Sequence, residues 1–201
     1  MSKITNTGVF IVEGSAAAAD VAGSSQIWVK SDAPSSLYHT DDAGTDFRIN
    51  GTTVSAQQAT TSLAARDFTV IPAGCKQIVL MIVGVSTSGS SIPIIQLGDS
   101  DGFETSGYLG GVGDEAGIGN FTDGFKFNRG WASSLVAHGS VIFNLQTANV
   151  WAASGCISFE SAAFGVLGGT KSLTGELTQL RITTQGGSDT FDAGAASIQF
   201  Q

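Results

Sequence analysis

From about residue 65 onward the chain repeats one pattern, in which short apolar runs alternate with glycine- and serine-rich turns. The first runs are Phe68–Ile71, Gln77–Val85 and Ile92–Leu97, and turn signals recur about every ten residues. No stretch of about ten or more residues here has the apolar spacing of an amphipathic helix. These features predict an all-β chain in which residues 63–201 form an antiparallel, jelly-roll-like β-sandwich.

Four stretches refine this prediction. In Gln179–Thr184 apolar and polar residues alternate, as on a strand with one buried face. Ile78–Val83 is apolar on both faces, which is typical of a strand at the centre of a sandwich. Gly165–Gly169 is predicted to be a turn, and the glycine-rich Gly98–Asn120 is predicted to form loops or short twisted strands.

A small β-meander is predicted before the sandwich. Gln26–Lys30, Leu37–Thr40 and Phe47–Ile49 are short runs of strand-forming residues separated by turn clusters. So small a sheet has almost no core of its own. Its large side chains should therefore pack either on the chain's own sandwich or at a joint between subunits, and the sequence leaves both alternatives open.

Residues 1–62 are predicted to comprise an N-terminal arm, the meander and a linker. The arm contains one apolar run, Val9–Val12, and a low-complexity stretch, Ser15–Ser25, which fits either a helical turn or an extended arm. Such a segment becomes ordered by lying on a partner. The polar stretch Asn50–Ala65 is predicted to be the linker.

Composition excludes several classes of function. Charged residues make up only 13% of the chain, the net charge is −8 and the pI is near 4.4, so no nucleic acid partner is expected. The longest apolar run, Ile78–Val85, is too short to span a membrane, and the N-terminus lacks the features of a signal peptide. The two cysteines, Cys75 and Cys156, are expected to be buried thiols, although a disulfide between them stays open.

The polar residues suggest no catalytic site and no cofactor. The acidic loop Gly98–Gly102, with Glu104, could offer oxygens to Ca²⁺, and Asp114-Glu115 could complete such a site if the loops met. A turn held by aspartate side chains is the favoured interpretation. His39 and His138 lack the spacing of metal ligands, and no G-x-S-x-G turn is present. The chain is therefore predicted not to be an enzyme and to hold no metal.

Aromatic residues gather around the glycine-rich region. An exposed aromatic ring on a loop can stack on a sugar, so Tyr108 and Trp131 are candidate glycan-binding residues. At strand spacing, as for Phe125 and Phe127, aromatic residues are more often part of the core.

Two stretches carry a resemblance to a known class of protein. Gln26–Ile49, QIWVKSDAPSSLYHTDDAGTDFRI, resembles a segment that recurs near the start of fibre and head-decoration proteins of tailed bacteriophages. The end of the chain, SLTGELTQLRITTQGGSDTFDAGAASIQFQ, looks like the closing strands of such proteins. Together the two stretches cover roughly a quarter of the chain.

The resemblance implies a structural protein of the virion, made in the host cytoplasm. The expected role is a capsid cement or decoration protein, a homotrimer on the head exterior, whose partner is the major capsid protein or another virion protein. No membrane partner is expected. The alternative is a fibre or receptor-binding protein whose sandwich binds host surface glycans. The residues expected to bind the partner are Phe10, Val12, Trp28, Leu37, Tyr38, His39 and Phe47.

Overall fold

The computed structural model describes residues 13–19, 23–31, 36–49, 52–69, 71–161 and 163–201. Apart from one 3₁₀ turn at Gln185–Gly187, their regular structure consists of strands. The chain forms two compact units, Met1–Thr52 and Thr53–Gln201. The boundary between the units lies earlier in the chain than the predicted boundary after residue 62. The polar stretch that was predicted to be a linker contains two short strands, and both pair with the last strand of the second unit.

The described residues of the first unit form a four-stranded sheet. Its strands are β1 Glu13–Gly14, β2 Gln26–Lys30, β3 Ser36–Thr40 and β4 Asp46–Arg48, in that spatial order. β2, β3 and β4 form the predicted antiparallel meander, and β1 adds to β2 in parallel. In the turn before β4, the Asp41 side chain accepts hydrogen bonds from the backbone N–H groups of Ala43 and Thr45, and Gly44 has a φ of 80°.

The second unit is built from two sheets. Its strands are β5 Thr53–Val54, β6 Gln58–Ala59, β7 Ala65–Phe68, β8 Gln77–Thr87, β9 Pro93–Asp99, β10 Gly102–Phe103, β11 Tyr108–Asp114, β12 Gly117–Asn120, β13 Phe125–Lys126, β14 Ala137–Thr147, β15 Val150–Phe159, β16 Ala163–Ser172, β17 Gln179–Thr184 and β18 Phe191–Phe200. The large sheet has the order β12-β11-β16-β15-β14-β8-β18-β5, with β6 also on β18. The small sheet has the order β10-β9-β17-β7, with β13 also on β9.

The two sheets enclose one apolar core, so the predicted antiparallel β-sandwich is confirmed, while its jelly-roll character stays a prediction. Ile95 of β9 and Ile182 of β17 share this core with Leu80 of β8 and Phe143 of β14. Antiparallel pairing with alternating burial explains the strand pattern. β17 has the bounds predicted from its alternation.

Ile78–Val83 is apolar on both faces, but only one of the two faces lies in the core. Ile78, Leu80 and Ile82 point into the core, with at most 2% exposure. The alternate residues of β8 point out of the sandwich, and Val83 is 54% exposed. The large sheet has a second face that the chain's own sandwich core does not cover.

The glycine-rich segments are paired strands. The predicted turn at Gly165–Gly169 is wrong, because these residues lie within β16, which pairs along its length with β11 and β15. A β-carbon on Gly169 would lie 2.4 Å from the carbonyl oxygen of Leu109 and 3.0 Å from the ring of Phe121. Phe121 is 2% exposed. Its ring therefore packs where other residues would place a side chain, which explains why glycines form these strands.

Candidate functional site

The first unit is organised around Trp28. Its ring stacks on Tyr38 with centroids 5.1 Å apart, and its indole Nε1 donates a hydrogen bond of 2.9 Å to Oγ1 of Thr40. The Thr40 hydroxyl donates in turn to Asp46, and Lys30 Nζ lies 5.7 Å from the centroid of the Tyr38 ring. Trp28 is only 9% exposed. Most of the surface of the ring that was predicted to bind a partner is therefore buried.

The opposite face of this sheet is open. Adjacent strand residues point to opposite faces, so Ile27, Val29, Leu37 and His39 lie on the side away from Trp28. Ile27 is 59% exposed and the other three are half-buried. The predicted partner-binding residues are thus divided between the two faces, with Leu37 and His39 on the open one.

The side chains of three predicted partner-binding residues lie outside the part of the chain that the structure describes. Phe10 and Val12 lie outside the described residues, and only the backbone of Phe47 is described, paired with His39.

The first strand of the meander also binds the segment that precedes it. The Gln26 side chain forms two hydrogen bonds with the backbone of Ala18, at 3.0 and 3.1 Å. The segment just before β2 is therefore held against the meander.

The two candidate glycan-binding residues are core residues. Tyr108 is 0% exposed, and its hydroxyl accepts from the backbone N–H of Leu97 at 2.8 Å and donates to the Glu104 carbonyl at 2.9 Å. Burial raises the pKa of Tyr108 well above its usual value. Trp131 is 8% exposed, and its Nε1 donates to Thr87. The expectation that these two rings stack on a sugar is corrected, because a ring that stacks on a sugar needs a face that is open to solvent.

The acidic loops hold the fold together. One carboxylate oxygen of Asp99 accepts from the Thr174 hydroxyl and the Gly175 N–H, both at 2.8 Å, and the other accepts from the Asp101 N–H at 3.0 Å. These hydrogen bonds, the one from Thr174 first, lower the pKa of Asp99. Asp114, in the second loop, accepts instead from Arg129.

The histidines and cysteines do not form a metal site. His39 lies in the meander, whereas His138 lies 3.2 Å from Glu160 at one end of the large sheet. Cys75 is buried and Cys156 is exposed, so the expectation of two buried thiols is wrong for Cys156, which lies on the outward face of β15. Within the described residues no group of three or more His, Cys, Asp or Glu side chains could hold a metal ion.

One polar pocket, of about 280 Å³, opens on the small sheet. Its lining includes Gln96, Asp123 and Arg181. The Arg181 guanidinium is fixed by two hydrogen bonds to Asp67, at 2.7 and 2.8 Å, and lies 4.0 Å from the centroid of the Phe103 ring. Oδ1 of Asp123 is buried without a hydrogen-bond partner. The lining thus includes one carboxylate and one guanidinium, both of which can hydrogen-bond the hydroxyl groups of a ligand.

Comparison with protein-family models gives no match, and no curated protein and no solved structure is significantly similar to this chain. Among the described residues, no helix is long and apolar enough to cross a membrane.

Proposed function

We propose that the chain is a structural component of a bacteriophage particle, a capsid cement or decoration protein on the outside of the head. The first unit attaches to the major capsid protein or to another virion protein. The second unit projects as a β-sandwich. No catalytic step is part of this role.

The observation that carries the proposal is the open face of the meander. The first unit is one of two compact units of the chain, and Ile27, Val29 and Leu37 are partly exposed on it. Exposed apolar side chains on a small sheet favour packing against another protein. Because Gln26–Ile49 resembles segments of virion proteins, we infer that this other protein is a component of the virion.

The test is incorporation into phage heads that lack this protein. We would add the purified full-length chain, the variant Ile27→Lys and the control Ala43→Lys, which places the same charge in the exposed Asp41–Gly44 turn. Replacing a central apolar side chain of an interface typically weakens binding by about tenfold or more. We expect Ile27→Lys to show that weakening and Ala43→Lys to bind as the original chain does.

The copy number and the stability of the heads distinguish cement from a fibre. Many copies per head, together with greater resistance to heat, support the cement role. A few copies at a vertex or on the tail, with no gain in heat resistance, contradict it and favour the fibre alternative. Equal binding by all three proteins contradicts attachment through the open face of the meander.

A second candidate function, glycan binding by the sandwich, is favoured by the polar pocket. Asp123 and Arg181 both line this pocket, and a carboxylate and a guanidinium can hydrogen-bond sugar hydroxyl groups. We would screen the chain on a glycan array beside Asp123→Ala and the exposed neighbour Thr122→Ala. Binding that falls about tenfold only in Asp123→Ala supports this candidate, and the absence of any bound glycan removes it.

A further inference from the structure

We infer that the outward face of the large sheet is the surface on which a second copy of this chain packs. This face consists of the outward side chains of β5, β8, β11, β12, β14, β15, β16 and β18, and is called the outer sheet face below. The inference concerns self-association and stands independently of the proposed virion role.

Large apolar side chains that are exposed in the sandwich are concentrated on this face. In the strand registers, Leu80 and Val141 face the core, so Val79 and Ile142, the next residues along, face outward. The same alternation places on the outer sheet face every large apolar side chain of the second unit that is exposed among the described residues: Val54, Val83, Leu109, Ile118, Ile142, Phe164 and Val166.

The outer sheet face carries no formal charge at its paired positions. One row of neighbours crosses six strands as Ile118, Gly113, Val166, Cys156, Ser140 and Met81. None of the described residues that point outward in the registered pairs of these strands is Asp, Glu, Lys or Arg. Charged residues lie at the ends of these strands instead: Asp192, in a bulge of β18, accepts a hydrogen bond from Ser86, and Glu160 lies 3.2 Å from His138. Depletion of charge is characteristic of interface cores.

The face is large enough for a stable contact. The neighbouring strands from β11 to β18 are about 4.8 Å apart, and about seven residues of each rise by about 3.3 Å per residue. Their footprint is thus about 24 by 23 Å, or roughly 550 Å², and the short outer strands β12 and β5, of four and two residues, raise it to roughly 650 Å². Standard interfaces bury about 600–1,000 Å² per partner, so the face is within that range.

Charge and shape favour a second copy as the occupant. Two chains of net charge −8 repel each other wherever acidic surfaces meet, and the outer sheet face lets them meet without opposing like charges. Small residues such as Ser140, Ser154 and Gly168 separate the larger Ile142 and Val166. Such a surface fits another flat sheet at the usual spacing of about 10 Å, with interdigitating side chains.

The first experiment measures the mass of the full-length chain in solution by sedimentation equilibrium. We would compare it with Val166→Lys and Ile142→Lys on the face, and with Ser100→Lys at an exposed turn of the small sheet. We expect the original chain and Ser100→Lys to form dimers, and the two face variants to associate at least about tenfold more weakly. A monomeric original chain at every concentration would overturn the inference, as would face variants that associate normally.

The cysteines provide a second readout that does not depend on mass. Cys156 lies within the outer sheet face between Ser140 and Val166, whereas Cys75 is 7% exposed, and burial raises the pKa of its thiol. We expect Cys156 to react slowly with a maleimide in the associated chain and quickly in Val166→Lys. Slow reaction of Cys75 in every protein shows that the variants are folded. Fast reaction of Cys156 in an associated original chain would overturn the inference.

Discussion

At the scale of single residues, Gly169 lies opposite Gly110 where β16 and β11 pair, with the ring of Phe121 packed against both. We expect Gly169→Ala to lower the free energy of unfolding by about 1–3 kcal/mol, because its methyl group would overlap the Leu109 carbonyl. The neighbouring Gly168→Ala is the matched control, since its methyl group would come no closer than 3.9 Å to another group. Urea unfolding measures both, and equal losses would contradict the packing argument.

Asp99 gives a prediction about pH. Its hydrogen bonds lower its pKa in the folded chain below the unfolded value of about 3.9. Its contribution is therefore fully present above that value and is lost as the pH falls through the folded pKa. We expect Asp99→Asn to cost about 1.5–3 kcal/mol at neutral pH and the gap from the original chain to narrow below about pH 4.

Urea unfolding midpoints at several pH values measure this difference in stability between Asp99→Asn and the original chain. Asp101→Asn, at an exposed carboxylate in the same turn, is the control and should change stability little at any pH. A gap between Asp99→Asn and the original chain that stays constant down to about pH 2 would show that the carboxylate charge is not what stabilises this turn.

At the scale of elements, the meander depends on the hydrogen bonds that join Trp28, Thr40 and Asp46. Thr40→Val leaves the indole N–H without its acceptor, which costs about 1–3 kcal/mol. We expect faster hydrogen exchange over Gln26–Arg48 and unchanged exchange in β8, because the two lie in separate compact units. Exposed Thr45→Val is the control. Loss of protection in β8 as well would contradict separate units.

Individual strands show how far the sequence predicts the fold. β17 follows from its apolar alternation, β8 follows from its continuous apolar run, and the meander follows from its strand-forming runs and turn residues. β11 and β16 do not, because glycine disfavours strands unless another group fills the space above it. Here that group is Phe121, which is remote from β16 in sequence.

Candidate functional residues are harder to predict than strands, because their role depends on whether their side chains are exposed. Tyr108 and Trp131 have rings suited to sugar binding, yet a sequence does not reveal which rings a second sheet will cover. Cys156 appeared buried because its neighbours are apolar, but the strand alternation that turns Ile157 inward turns Cys156 outward. The same alternation in the neighbouring strands forms the outer sheet face.

At the scale of the whole molecule, the separation of charge from the outer sheet face predicts an unusual response to salt. Raising the NaCl concentration from about 50 to about 500 mM screens the repulsion between chains of net charge −8. We expect association to strengthen or stay constant, because no ion pair in the contact is weakened. Sedimentation at both concentrations measures this, and dissociation in high salt would contradict an uncharged contact.

β8 lies between β14 and β18, so Leu80 is paired with Val141 on one side and Ile198 on the other. Both partners are distant in sequence, and domains built on such pairings commonly fold over milliseconds to seconds. During that interval both edges of an eleven-residue apolar strand are open to pairing with other chains. Slower synthesis at lower temperature should therefore raise the yield of correctly folded protein, since fewer incomplete chains meet while β8 awaits its partners.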